Sequence, residues 1–138
     1  MKIHHIGMLV KDIAAESGRL CACCGYEEVS PVVEDKIQTA KVLFLRLPGD
    51  SPYLELISPI GENSKLSRAL AKGATLHHIC YETEDIFADL ANFRANGFLT
   101  LCEPVAAPAF ENRRIAWVMD AKKNLFELVE KSGNLPLK

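Results

Sequence analysis

The sequence predicts an α+β domain: two tandem βαβββ modules forming a curved, partly open mixed sheet around a metal cleft. Three observations lead there. The chain repeats itself at a nearly constant offset. Within each copy, short apolar runs typical of strands are interrupted by one helix-like stretch. Each copy also sets one His and one Glu among apolar strand residues, at equivalent places.

The repeat is read directly. His4-His5-Ile6 and Asp12-Ile13 return as His77-His78-Ile79 and Asp85-Ile86. Gly25-Tyr26 returns as Gly97-Phe98, and Lys41-Val42-Leu43-Phe44 as Arg114-Ile115-Ala116-Trp117. Leu54-Glu55-Leu56 returns as Phe126-Glu127-Leu128. The offset is 72 or 73 at every landmark, so one structural unit is used twice.

In the first copy, Ile3 to Val10 reads as a strand. Asp12 offers an N-cap oxygen, and a helix runs to about Cys24 with Gly25 closing it. Tyr26–Val33, Lys41–Leu47 and Tyr53–Ile57 read as three further strands, the last closed by Ser58-Pro59. The second copy repeats the order: strand Leu76–Glu82, a helix capped by Asp85 and stopped by Asn96-Gly97, then strands near Phe98–Cys102, Arg114–Met119 and Leu125–Glu130. Between them, Asn63 or Ser64 caps a short connector helix, Lys65 to Lys72, ended by Gly73. The chain therefore reads as a single domain, 1–138, with modules of about 1–60 and 74–133 joined by that helix. Residues 103–112, with two prolines and three alanines, read as a long loop.

Composition narrows the function. The 138 residues suit one compact domain, with 49% apolar and 25% charged residues and a net charge of −2. Lys and Arg are scattered, which argues against a nucleic-acid or anionic-membrane surface. No apolar run reaches the roughly 20 residues of a membrane span. The N-terminus enters a strand pattern without signal-peptide architecture, so a cytoplasmic location is expected. Five cysteines without framework spacing fit free thiols, and Cys21, Cys23 and Cys24 read as small apolar core residues of the first helix.

Ionisable groups on a core-facing strand side need partners. His5 alternates with Ile3, Gly7 and Leu9; His78 with Leu76 and Cys80; Glu55 with Tyr53 and Ile57; Glu127 with Leu125 and Val129. If the modules are related by a pseudo-twofold axis, two imidazoles and two carboxylates converge. That set suits one divalent Zn, Fe, Mn, Co or Ni ion, which also removes the repulsion between two carboxylates. His4 and His77 face the other way, Asp12 and Asp85 read as caps, and Glu130 reads as solvated. Phe44, Tyr53 and Trp117 read as core packing, with ligand stacking as the alternative.

These segments resemble the vicinal oxygen chelate (glyoxalase-like) superfamily, above all the methylmalonyl-CoA epimerases. HHIGMLVKDI resembles the opening strand and cap, YLELISPIGENSKLSRAL the carboxylate-bearing strand with its following helix, and LHHICYETEDI the second histidine strand. NRRIAWV and NLFELVE resemble the closing strands. The resemblance implies His5, Glu55, His78 and Glu127 as metal ligands, the four that the repeat selects. It implies proton abstraction α to a carbonyl or thioester, with Glu127 as the base. Lys41 and Arg114 would flank the site and hold a carboxylate or thioester oxygen, with Gln38 a further polar contact. An acyl-CoA such as methylmalonyl-CoA is the first substrate expected, and a hemithioacetal, as in glyoxalase I lyases, the second. A homodimer is usual for such proteins. A drug-sequestering protein of the same fold and a ring-cleaving dioxygenase are the competing readings. Four intact ligand residues speak against the first. The second carboxylate and the short chain speak against the second.

Overall fold

A computed structural model describes residues 1–36 and 38–131. The last residues of the second module's expected span, 132–133, lie outside the described residues. Among the described residues there are nine strands and three α-helices. They run β1 (Lys2–Leu9), α1 (Ile13–Cys24), β2 (Glu27–Glu28), β3 (Val33–Asp35), β4 (Ala40–Arg46), β5 (Tyr53–Pro59), α2 (Lys65–Ala71), β6 (Leu76–Thr83), α3 (Ile86–Ala95), β7 (Leu99–Ala107), β8 (Arg113–Met119) and β9 (Leu125–Glu130). A 3-10 turn, Pro108–Phe110, links β7 to β8. The expected α+β class, built twice from βαβββ, is the one found. No helix among the described residues is long and apolar enough to cross a membrane.

The chain divides into two compact units, His5–His77 and Met1–His4 with the chain from His78 onward. In the first, strands lie in the order β2-β4-β5-β1, with β3 also on β4. Here β5 is parallel to β1, and β4 is antiparallel to its neighbours. In the second the order is β6-β9-β8-β7, with only β6 and β9 parallel. The repeat extends to register. Glu55 sits opposite Gly7 on one side and Phe44 on the other. Glu127 sits opposite Cys80 and Trp117.

The caps form as their residues dictate. The Asp12 carboxylate accepts the Ala15 N–H at 3.0 Å, and Asp85 accepts that of Ala88 at 3.0 Å. Each satisfies an amide the first helical turn leaves open. Gly25, at φ 82°, ends α1 in a left-handed conformation that a side chain would strain. For α2 the cap is Ser64, whose Oγ accepts the Leu66 N–H at 3.2 Å.

α1 and α3 each cover one face of the strands in their own unit. α1 brings Ile13 and Leu20 onto Leu43, Leu45, Leu54 and Leu56. α3 brings Ile86, Leu90 and Phe93 onto Ala116, Val118 and Leu128. Burying each such leucine contributes about 1.5–3 kcal/mol. Period two then sends Phe44 and Glu55, or Trp117 and Glu127, to the opposite face.

Three expectations are corrected. The single strand Tyr26–Val33 is split into β2 and β3, because Pro31 has no N–H for a ladder. Ser30 Oγ fills the break, accepting the Phe44 N–H at 2.9 Å. The expected loop 103–112 is mostly strand: β7 continues to Ala107 through register shifts between Thr100 and Val105. As the last strand in its order, β7 tolerates Pro104 there. Finally, Cys23 and Cys24 are exposed and Cys21 only half-buried, so this cluster is not core; Cys80 is buried. The helix turns its Ile13 and Ser17 side to the sheet and leaves its C-terminal end outside.

Candidate metal centre

Each unit contains one buried imidazole–carboxylate pair. In the first, His5 on β1 and Glu55 on β5 are 0% and 5% exposed, with Nε2 and Oε1 3.4 Å apart. In the second, His78 on β6 and Glu127 on β9 are each 2% exposed, with the same atoms 3.3 Å apart. The local cause is the parallel pairing within each unit. It puts the Glu one pleat along from its His on the same sheet face. An aromatic edge holds each ring: Phe44 stands 5.5 Å from His5 at 82°, and Trp117 stands 4.7 Å from His78 at 77°. Phe44 also meets Tyr53 edge-on at 6.2 Å. Phe44 and Tyr53 are buried, as core packing requires, whereas Trp117 keeps some exposure.

The donor chemistry of these pairs fits a divalent cation. Imidazole nitrogen and carboxylate oxygen are the ligands preferred by first-row ions such as Zn, Fe, Mn, Co and Ni. Taking a carboxylate almost wholly out of water costs several kcal/mol unless positive charge and hydrogen bonds compensate.

Two of the residues expected to bind substrate, Lys41 and Arg114, lie on the other face of their strands. Lys41 is three residues before Phe44, so it shares the face of Leu43 and Leu45. There it lines a surface groove with Asp12, Ile13 and Ser58 at the start of α1. Arg114 is likewise three residues before Trp117 and belongs to the α3 side. Its guanidinium lies 4.9 Å above the Phe87 ring and donates to Glu130 Oε1 at 2.5 and 2.9 Å. This corrects the expectation that Lys41 and Arg114 flank the pairs: alternation along β4 and β8 turns both away. Glu130, expected to be solvated, is tied to Arg114. Hydrogen bonding from that guanidinium holds its carboxyl below the ordinary range. Gln38 lies in the β3–β4 turn, where its N–H donates to Asp35 at 3.1 Å. His4 is buried and edge-on to Phe110 at 5.6 Å; His77 is half-buried.

Two cysteines stand near the second pair: Cys80, which the sequence places on the His78 face, and Cys102, which the sequence reading did not bring there. Cys80 is buried opposite Glu127, and its position answers to Gly7 of the first module. Cys102 is paired in register with Trp117, and burial pushes its thiol pKa up, with smaller contributions from Glu103 and Glu127. The signal for Cys80 was its period-two spacing from His78. For Cys102 the irregular β7 register hides it.

The class is defined by a duplicated βαβββ fold that carries one buried His–Glu pair in each module. The chain belongs to the Glyoxalase/Bleomycin resistance protein/Dioxygenase superfamily, whose model matches residues 4–117. Within it the expected likeness to methylmalonyl-CoA epimerases holds. An ethylmalonyl-CoA/methylmalonyl-CoA epimerase of Cereibacter sphaeroides is 34% identical over 89 residues, 63% of this chain. That match spans 64% of the relative's own length, just under two thirds. A variant of the Streptomyces coelicolor methylmalonyl-CoA epimerase, solved with 2-nitronate-propionyl-CoA, has a TM-score of 0.84 at 30% identity, covering 99% of both chains. A methylmalonyl-CoA epimerase solved with methylmalonyl-CoA and ammonium has a TM-score of 0.83 at 30% identity, covering 96% of this chain and 95% of its own.

Proposed function

We propose that this chain is a divalent-metal-dependent epimerase that removes and returns the proton α to the thioester carbonyl of an acyl-CoA of the methylmalonyl type. The observation that carries this reading is the same buried His–Glu pair, at the same register, in each of two modules. The epimerase relatives support the acyl-CoA class. In this proposal His5, Glu55, His78 and Glu127 together hold one ion. Once bound, that ion supplies Lewis acidity to the substrate carbonyl. Glu127 takes the α-proton and gives it back, its carboxylate positioned by β9 and kept nearly dry. The half-buried Trp117 ring stands between that pair's imidazole and water. All five cysteines are free thiols, which supports a reducing, cytoplasmic setting. A homodimer belongs to the same proposal.

Metal analysis followed by deuterium exchange tests it. The purified protein should carry one ion per chain and exchange the α-proton of methylmalonyl-CoA in heavy water, and a chelator should stop the exchange. Bound metal without exchange, but with turnover of a glutathione hemithioacetal, would replace this reading by a glyoxalase I-type lyase. A metal-free protein that binds an aromatic drug tightly would replace it by sequestration.

A further inference from the structure

Cys21, Cys23 and Cys24 lie within four residues at the end of α1. None is in a disulfide; Cys23 and Cys24 are exposed, and Cys21 is half-buried with its Sγ 3.9 Å from Ser17 Oγ. The helix stays regular through Cys24 and is closed by left-handed Gly25. Cys21 and Cys24 therefore keep true i, i+3 spacing, which puts their Cβ atoms about 5–6 Å apart. Cys23 is turned to another side.

That spacing discriminates between thiol chemistries. A disulfide needs Cβ atoms about 3.5–4.5 Å apart, so a direct Cys21–Cys24 bond would require the last turn to unwind. An atom inserted between the sulfurs does not. At metal–sulfur bonds of about 2.3 Å, two sulfurs on opposite sides of an ion stand about 4.6 Å apart. Zinc in structural sites calls for four ligands, and two thiolates suit a soft ion of low coordination number. A positive charge also stands nearby. The Arg19 guanidinium is raised above its ordinary pKa first by its hydrogen bond to Glu16, and to a smaller degree by Cys23 and Cys24.

We propose that Cys21 and Cys24 form a surface dithiolate site for a soft monovalent cation, with Cu(I) as the ion whose chemistry fits. Two S–H bonds are replaced by two S–Cu bonds, and two protons pass to solvent. Copper stays monovalent, so no oxidant or reductant takes part. The site is separate from the His5–Glu55 pair, because α1 packs on the sheet face that carries Leu43, Leu45, Leu54 and Leu56.

The test is an anaerobic Cu(I) titration of the whole protein against a chromophoric Cu(I) chelator. Wild type should withdraw one equivalent. Cys21→Ser and Cys24→Ser should each weaken that binding about tenfold or more, and Cys23→Ser should leave it nearly unchanged. Circular dichroism should show intact helix in all three variants, since the changes lie at an exposed helix end. Binding that survives both single losses, binding that needs Cys23 but not Cys21, or no withdrawal by wild type would each overturn the assignment. A second measurement is mild oxidation followed by peptide mapping, which should leave Cys21 and Cys24 unlinked. Ready formation of that disulfide would refute the spacing argument.

Discussion

Replacing His78 by Ala in metal-free protein removes an almost solvent-free imidazole that stands 3.3 Å from the Glu127 carboxylate and edge-on to Trp117. The change takes from the buried Glu127 carboxylate the imidazole beside it and opens a cavity against Trp117, which together cost about 3–5 kcal/mol. In a chain of 138 residues each kcal/mol moves the melting midpoint by about 3–5 °C, so a fall of roughly 10–20 °C is expected. The double variant His78→Ala/Glu127→Leu removes both members, and most of that loss should be recovered, since replacing a buried pair by apolar groups is often neutral. Metal provides the second reading. A divalent ion at about 100 times its Kd stabilises wild type by about 2.7 kcal/mol, and His78→Ala should gain almost nothing. Urea unfolding followed by circular dichroism, with chelator and with added Co(II) or Zn(II), measures all of these differences. The reasoning fails if His78→Ala matches wild type in chelator, if the double variant is less stable than the single one, or if His78→Ala keeps the full gain from metal.

Lys41→Ala and Arg114→Ala should each leave the rate of α-proton exchange near wild type, because both side chains lie on the helix-covered sides of their sheets. A large loss of turnover in either would reverse that placement. Trp117 is the sole tryptophan and stands 4.7 Å from the His78 ring, so Co(II) binding should quench the protein's fluorescence strongly; an unchanged spectrum at saturating Co(II) would remove His78 from the ligand set. Glu130 has a pKa depressed by Arg114, so its contribution to stability is present above its ordinary value of 4.5 and is lost as pH falls through the depressed one. Glu130→Gln should therefore be less stable than wild type at neutral pH and equal to it in strong acid. A difference that persists into strong acid would count against the ion pair.

Much of the fold was legible because local rules and the repeat agree. Asp12 and Asp85 cap helices as their chemistry requires, and residues 13, 43, 45 and 56 of the first core have counterparts at 86, 116, 118 and 128 in the second. The failures share one cause: bonds made by distant chain. The strand break at Ser30-Pro31 is stable because a serine hydroxyl reaches the Phe44 N–H, 14 residues away. β7 runs past Pro104 because only one side of that strand is paired within its unit, and no local signal near residue 104 carries that. The exposed cysteines fail for a different reason. Their short apolar side chains fit a core or a surface equally well, and α1 reaches the sheet through its Ile13–Ser17 side.

The site shows how far alternation alone can carry an assignment. Phe44 and Trp117 sit directly across from the two glutamates, and Lys41 and Arg114 lie three positions earlier on the same strands. An odd separation puts them on the opposite face, so the sequence already held the argument against them as site residues. What it did not hold was register, which joins His5 to Glu55 across 50 residues and His78 to Glu127 across 49. Duplication kept the pairs alike, and divergence then made their surroundings differ. Gly7 in the first module stands where Cys80 does in the second, and the buried Phe44 where the half-buried Trp117 does. A base must exchange its proton with a substrate that enters from water. Of the two carboxylates, Glu127 lies across from Trp117, a ring that keeps some exposure and so suits the role proposed for that residue, while Glu55 lies across from the buried Phe44.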